Sequence, residues 1–228
     1  MLLAIDTATR WLGLALHNGQ DIVAELGWHA VNTQTVELAP TARGLMQRSG
    51  VSAEDLDGIG VAIGPGSYTG LRVGLGFAKG LSLGHRIPLV GVNTLHIVAA
   101  GVGQRPGKLV AVAEAGRTRI CAAVYEFHRS SWRLGQAADI YTWEELLDSL
   151  SGTITFAGEV SADAQKLVRK QGQRWKVLPA SLSTRRAGNL AQLAWDRLRK
   201  GDADDPASLS PVYLRDPSGS PSDPAAGK

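Results

Sequence analysis

The stretch from Gly58 to Gly84 limits what this chain can fold into more than any other. It reads Gly-Ile-Gly-Val-Ala-Ile-Gly-Pro-Gly-Ser-Tyr-Thr-Gly-Leu-Arg-Val-Gly-Leu-Gly-Phe-Ala-Lys-Gly-Leu-Ser-Leu-Gly. An apolar run, Ile59 to Ile63, ends in a Gly-Pro-Gly turn, and a long segment with few loop formers follows. That order is strand, tight loop, helix, which gathers backbone N–H groups at a helix N-terminus. Gly70, Gly74, Gly76, Gly80 and Gly84 all fall inside the helix. Each costs about 0.5–1 kcal/mol relative to alanine, and the usual return is close backbone approach. At about 100° per residue, Gly70, Gly74 and Ala78 form one ridge, and Gly76, Gly80 and Gly84 a second. Two smooth ridges predict two close neighbours: the protein's own sheet, and another helix of this chain or of a partner.

The surrounding pattern predicts a repeated unit. Leu2–Asp6, Trp11–His17 and Ile22–Trp28 read as an antiparallel meander, with Asn18-Gly19 as its hairpin turn. Thr35–Arg48 has helical apolar spacing with Pro40 near its start. The strand at 59–63, the glycine helix, a strand at Pro88–Val92 and a helix from Thr94 complete a βββαβαβα series. Gln104–Gly107 reads as a linker. The same series then restarts: strands at Leu109–Ala113, Arg119–Phe127 and Trp132–Ile140, a helix at Thr142–Leu150 and a strand at Thr153–Ala157. A helix at Ser161–Lys170, a strand at Trp175–Leu178 and a long helix at Thr184–Lys200 close it. The expected organisation is an N-terminal lobe 1–103, a C-terminal lobe 104–216 and a disordered Pro/Ser/Gly-rich tail 217–228. A duplicated α/β unit of this kind resembles the two-lobed actin/hexokinase/Hsp70 (ASKHA) superfamily, an indication of fold more than of function.

Composition narrows the function classes. No apolar run approaches the roughly 18 residues of a membrane span, and Asp6 interrupts the N-terminus too early for a signal peptide. Cys121 is the only cysteine, so an intrachain disulfide is excluded and a cytoplasmic setting is expected. The net charge of +3 hides a basic segment, Ala162 to Lys200, that carries only Asp163 and Asp196 as acids. Such a segment is either a solvated helix surface or a face that attracts phosphate backbones.

Chemical motifs are sparse. In the superfamily the first hairpin, here Asp6-Thr7-Ala8-Thr9, points an aspartate and hydroxyls at phosphate. The alternative is that Asp6 and Thr7 satisfy the backbone of their own turn. The loop at Gly64 is neither a Walker A nor a Gly-x-Gly-x-x-Gly loop, because Gly70 falls one residue late. None of His17, His29, His85, His96 and His128 are three or four residues apart, so no metal site is expected. Ser67 is expected to cap the glycine helix rather than act as a nucleophile, and Cys121 to be a buried inert thiol. Glu114, at the end of the strand opening the second lobe, is a general base in a kinase reading and an ion-pair partner of Arg117 and Arg119 in a structural one.

Asp6-Thr-Ala-Thr, Gly64-Pro-Gly-Ser-Tyr-Thr-Gly-Leu-Arg-Val-Gly, Pro88-Leu-Val-Gly-Val-Asn-Thr-Leu and Pro211-Val-Tyr-Leu-Arg together resemble the TsaB (YeaZ) family of bacterial tRNA threonylcarbamoyladenosine biosynthesis. The resemblance implies a non-catalytic scaffold subunit without a cofactor of its own, ATP or ADP entering only in the complex. It implies a TsaD-like transferase and a TsaE-like ATPase as partners, tRNA met through the complex, and a homodimer when the partner is absent. The reaction served is transfer of a threonylcarbamoyl group to N6 of adenosine 37 in tRNAs reading ANN codons. Mapped onto this chain, the partner-binding surface is the Thr35–Arg48 and Gly70–Gly84 helices, with Val36, Leu45, Gly70, Arg72, Val73, Gly74, Phe77, Ala78, Gly80 and Leu81 at the contact, and Asp6 and Thr7 a vestigial phosphate loop. Gly74→Leu and Gly80→Leu are then both expected to abolish association without unfolding the lobe. The chain departs from the family at Glu114-Ala-Gly-Arg-Thr-Arg-Ile-Cys, where many members have Asp-Ala-Arg-x-Gly-Glu-Val-Tyr, and at Asn32-Thr-Gln-Thr, where many have a histidine. The rival readings are an active kinase or carbamoyltransferase, and a peptidase acting on the TsaD-like partner.

Overall fold

The computed structural model describes residues 1–30, 33–115 and 119–214. Near-continuous apolar runs, buried on both faces, make its first two strands. β1 (Leu2–Asp6) pairs antiparallel with β2 (Trp11–His17), from Leu2 opposite His17 to Asp6 opposite Gly13. β2 pairs antiparallel with β3 (Ile22–His29). After α1 (Gln34–Arg48), β4 (Gly58–Gly64) joins β1 in parallel. α2 (Tyr68–His85) leads to β5 (Leu89–Asn93), giving the order β3-β2-β1-β4-β5.

Successive residues of a strand point to opposite faces, and here the two faces have different textures. On one, Leu3, Ile5, Leu12, Leu14, Leu16, Ile59 and Val61 meet Leu38, Ala42 and Leu45 of α1 and Leu75 and Ala78 of α2 in a single core. The alternate positions are smoother. A Cβ on Gly60 would stand 2.7 Å from the Cβ of Ala194, and one on Gly13 would stand 3.2 Å from that of Ala187. Both alanines belong to α7 (Ala187–Leu198), whose buried side is Ala187, Gly188, Leu190, Ala191 and Ala194. Small residues on both surfaces let this helix lie close on the sheet. Its start is tied down by Glu25, which accepts from the Gly188 N–H at 2.9 Å and from the Arg186 Nε at 3.0 Å.

The second unit repeats the first sheet's order. After α3 (Thr94–Ala100), β6 (Lys108–Glu114), β7 (Ile120–His128) and β8 (Ser131–Tyr141) form a meander. α4 (Trp143–Ser149), β9 (Ile154–Gly158), α5 (Ala162–Lys170), β10 (Trp175–Val177) and the short α6 (Ala180–Ser183) follow. The order is β10-β9-β6-β7-β8, with β9 parallel to β6 and β10 parallel to β9. Leu95, Val98 and Ala99 of α3 pack on one face of this sheet, among Leu109, Ala111, Tyr125 and Trp132. Leu146 and Leu147 of α4 and Val168 of α5 cover the other, with Val110, Val112 and Phe156.

The strands and helices follow the sequence reading closely up to residue 178. Beyond it, the helix expected at 184–200 is α7, shorter at both ends, and the sequence reading did not give the short α6 that precedes it. The compact units also differ from lobes divided at 103/104 and ending at 216: Met1–Asn93 goes with Arg186–Tyr213, and Thr94–Arg185 forms the other. The reason is packing. The apolar side of α3 completes the β6–β7 core, while the small-residue side of α7 fits the glycines of the β1–β2–β4 surface. The expected tail 217–228 lies outside the described residues.

Gly60→Val should destabilise the fold by about 1–3 kcal/mol through overpacking against Ala194. Gly44→Ala, within α1 and with open space where its Cβ would be, should stabilise it by about 0.5–1 kcal/mol. Urea denaturation followed by circular dichroism measures both.

Candidate functional site

The site is built where the β1–β2 turn meets the start of α2. Asp6 Oδ1 accepts from the N–H of Ala8 at 2.9 Å, an Asx-type closure of the turn. The Thr7 hydroxyl donates to the carbonyl of Gly70 at 2.6 Å. The Ser67 N–H donates to the Ala8 carbonyl at 2.6 Å, and Ser67 Oγ caps α2 by accepting from the Gly70 N–H at 3.2 Å. Asp6, Thr7 and Thr9 are buried. Turn and helix approach so closely that a Cβ on Gly66 would run into the Ala8 carbonyl, one on Gly70 into the Thr7 carbonyl, and one on Gly74 into the Thr7 hydroxyl. Asp6 thus satisfies the backbone of its own turn, whereas the Thr7 hydroxyl reaches across to the backbone of α2.

This packing corrects part of the expected partner surface. Gly70, Gly74 and Ala78 are buried within their own unit, because they are the ridge that lies on Thr7 and the core. Leu45 is buried as well, 5% exposed, since Leu38, Ala42 and Leu45 recur on the core side of α1. A substitution at Gly74 is therefore a folding change, not a selective interface change as expected from the sequence. Val36, at 68% exposure, and Gly80 lie on the surface, while Val73, Phe77 and Leu81 are half-buried against the core.

The second glycine ridge is open. Apart from the adjoining residues and the helix's own backbone, no heavy atom lies within 4 Å of where a Cβ of Gly76, Gly80 or Gly84 would be. Leu83, 66% exposed, flanks it. Gly76, Gly84 and Leu83 were absent from the expected contact set, although the i, i+4, i+8 spacing of the glycines already marks this ridge. At its N-terminal end Arg72 is engaged rather than free. Its guanidinium carbon sits 3.9 Å from the Tyr68 ring centroid, and its Nε donates to Tyr213 Oη at 3.1 Å. Tyr213 in turn stacks on Tyr68 with centroids 5.1 Å apart. It is carried there by the segment that follows α7, where the Val212 N–H donates to the Ile63 carbonyl at 2.7 Å. Only a folded structure brings residues so distant in sequence together.

Other candidates have structural partners. Glu159 accepts from the Glu114 N–H at 2.7 Å and meets the buried Arg185 at 3.4 Å. Arg117, one expected partner of Glu114, lies outside the described residues, as does Asn32. Burial, with Asp139 and Glu159 nearby, pushes the Cys121 thiol up to about 12. Among the described residues no group of three His, Cys, Asp or Glu side chains is placed to hold a metal, and no helix is long and apolar enough to cross a membrane.

Two sheets of matching strand order, each a meander followed by parallel strands, define a two-lobed α/β protein of the actin/hexokinase/Hsp70-like (ASKHA) class. A family model described as "TsaD: tRNA N6-adenosine threonylcarbamoyltransferase" matches residues 29–219. The chain is 28% identical over 218 residues to the tRNA threonylcarbamoyladenosine biosynthesis protein TsaB of Bacillus subtilis, covering 94% of this chain and 93% of that one. It is 29% identical over 226 residues to the TsaB of Escherichia coli, covering 94% of each. YeaZ from Pseudomonas aeruginosa has a similar solved structure, with a TM-score of 0.76 at 26% identity over 93% of this chain and 99% of that one. The chain belongs to the family of the matched model and, within it, to the TsaB (YeaZ) family.

Gly74→Leu should lower the melting temperature sharply or prevent folding, because the added side chain must displace Thr7 from its bond to Gly70. A thermal melt unchanged from that of the parent chain would contradict this packing. Cys121 should resist iodoacetamide at pH 8 in the native protein and react once urea exposes it, which mass spectrometry reads directly.

Proposed function

We propose that this chain is a non-catalytic scaffold of tRNA N6-threonylcarbamoyladenosine formation, the process for which its TsaB relatives are named. It holds a TsaD-like transferase through α1 and α2, a TsaE-like ATPase completes the assembly, and the same surface pairs two copies of the chain when the transferase is absent. The work is done in the cytoplasm, and ATP or ADP is engaged only by the assembly.

One observation carries this reading. The Gly76–Gly80–Gly84 ridge has no neighbour within its own unit, although each glycine weakens the helix. A ridge without side chains lets a second helix approach backbone to backbone, and the half-buried Val73, Phe77 and Leu81 with the exposed Leu83 supply apolar area beside it. The engagement of Asp6 and Thr7 with backbone groups of their own unit supports a structural role for the first hairpin over catalysis.

Gly80→Leu and Gly76→Leu should keep or raise the melting temperature, since the space around both is open. Both should abolish co-purification with the co-expressed TsaD-like protein. Persistence of the complex in both variants would rule out this surface.

A further inference from the structure

The fold sorts the cations of the basic segment 162–200 into engaged and free. Lys166 reaches Asp163 at 2.7 Å. Arg185 is buried against Glu159 at 3.4 Å, and Arg186 is held by Glu25. Arg197 meets Asp202 at 2.7 Å and Asp204 at 3.2 Å. Arg199 and Lys200 follow α7 in the other unit. Arg169, Lys170, Arg174 and Lys176 remain, exposed and without an ion pair among the described residues. All four lie together in unit 2, on the last turn of α5, the turn after it, and β10, the edge strand of its sheet.

This edge is a formed surface. A shallow cavity of about 490 Å³ is lined by Arg169, Gly172, Gln173, Trp175 and Lys176. The turn is closed by the Trp175 N–H donating to the Gly172 carbonyl at 3.2 Å, with Gly172 at φ +101°. Trp175 is fixed by its indole N–H on the Gly152 carbonyl at 3.1 Å and by its ring 5.9 Å from that of Phe156. The acids nearest in the layer do not neutralise it. Glu144, Glu145 and Asp148 are on α4, which packs against both α5 and β8, yet none of them forms an ion pair with the four cations among the described residues. Glu145 is further engaged in the cap with Thr142.

Arg169 and Lys170 complement the α5 dipole, but Arg174 and Lys176 lie beyond the helix and gain nothing from it. Unpaired like charges gathered at one edge are better suited to a ligand that brings several anionic groups than to stability. An open surface with cations spread over a helix end and a strand suits successive phosphates better than one enclosed anion. A membrane surface fits less well, because none of the exposed large hydrophobic residues lies within 162–178 to insert beside the charges. We propose that the α5–β10 edge contacts the phosphate backbone of RNA. The choice of tRNA as that RNA rests on the function proposed above.

The test is fluorescence anisotropy of end-labelled bulk tRNA titrated with the full chain. Neutralising about four phosphates gives a log–log salt slope near −3, an affinity loss of about 60-fold between roughly 50 and 200 mM salt. Arg169→Glu/Arg174→Glu/Lys176→Glu should bind at least tenfold more weakly at low salt with a slope near −1, while Arg199→Glu/Lys200→Glu keeps both values. Thermal melts show that both variants are folded. No binding by the parent chain at low salt would overturn the proposal. So would an unchanged slope in the triple variant, or co-sedimentation with phosphatidylserine vesicles without tRNA binding. Partner capture through α2 is read by co-purification, so either reading can fail while the other stands.

Discussion

Unit 1 depends on one steric fit, the first turns of α2 lying directly on Thr7. The contact is possible only because Gly70 and Gly74 have no side chains, and it is fastened by the Thr7 hydroxyl on the Gly70 carbonyl. It also sets the rotation of the helix about its axis. With Gly70 and Gly74 turned inward, helical geometry turns Gly76, Gly80 and Gly84 outward. The open ridge offered to a partner and the closed ridge against the hairpin are two results of one phase choice.

The same use of missing side chains recurs on the other face of the sheet. Gly13 and Gly60 stand where α7 crosses, and Ala187 and Ala194 answer them. A helix more than a hundred residues downstream thereby becomes part of the first sheet's unit, and α3 becomes part of the second's. The chain therefore does not fold as two successive repeats, although its strand order repeats.

Charge follows a comparable division. Read along the chain, 162–200 is one basic run. In the fold, Lys166, Arg185, Arg186 and Arg197 meet carboxylates, two of which, Glu159 and Glu25, are distant in sequence, and a cluster at the β10 edge is left over. Salt bridges at exposed positions add little stability, so their main consequence here is to decide which cations stay available.

The sequence by itself determined the element order up to residue 178, the duplicated α/β class, the capping role of Ser67, the buried state of Cys121 and the existence of two glycine ridges. These are local properties, carried by apolar period, turn residues and spacing within one helix. Tertiary structure decided which ridge is buried, that Leu45 belongs to the core and that α7 closes the first sheet. It also decided that Arg72 is held between Tyr68 and Tyr213. Each of those depends on a surface formed by residues distant in the chain. Helical periodicity shows that two faces of α2 differ; only the position of Thr7 beneath one of them tells which is inside.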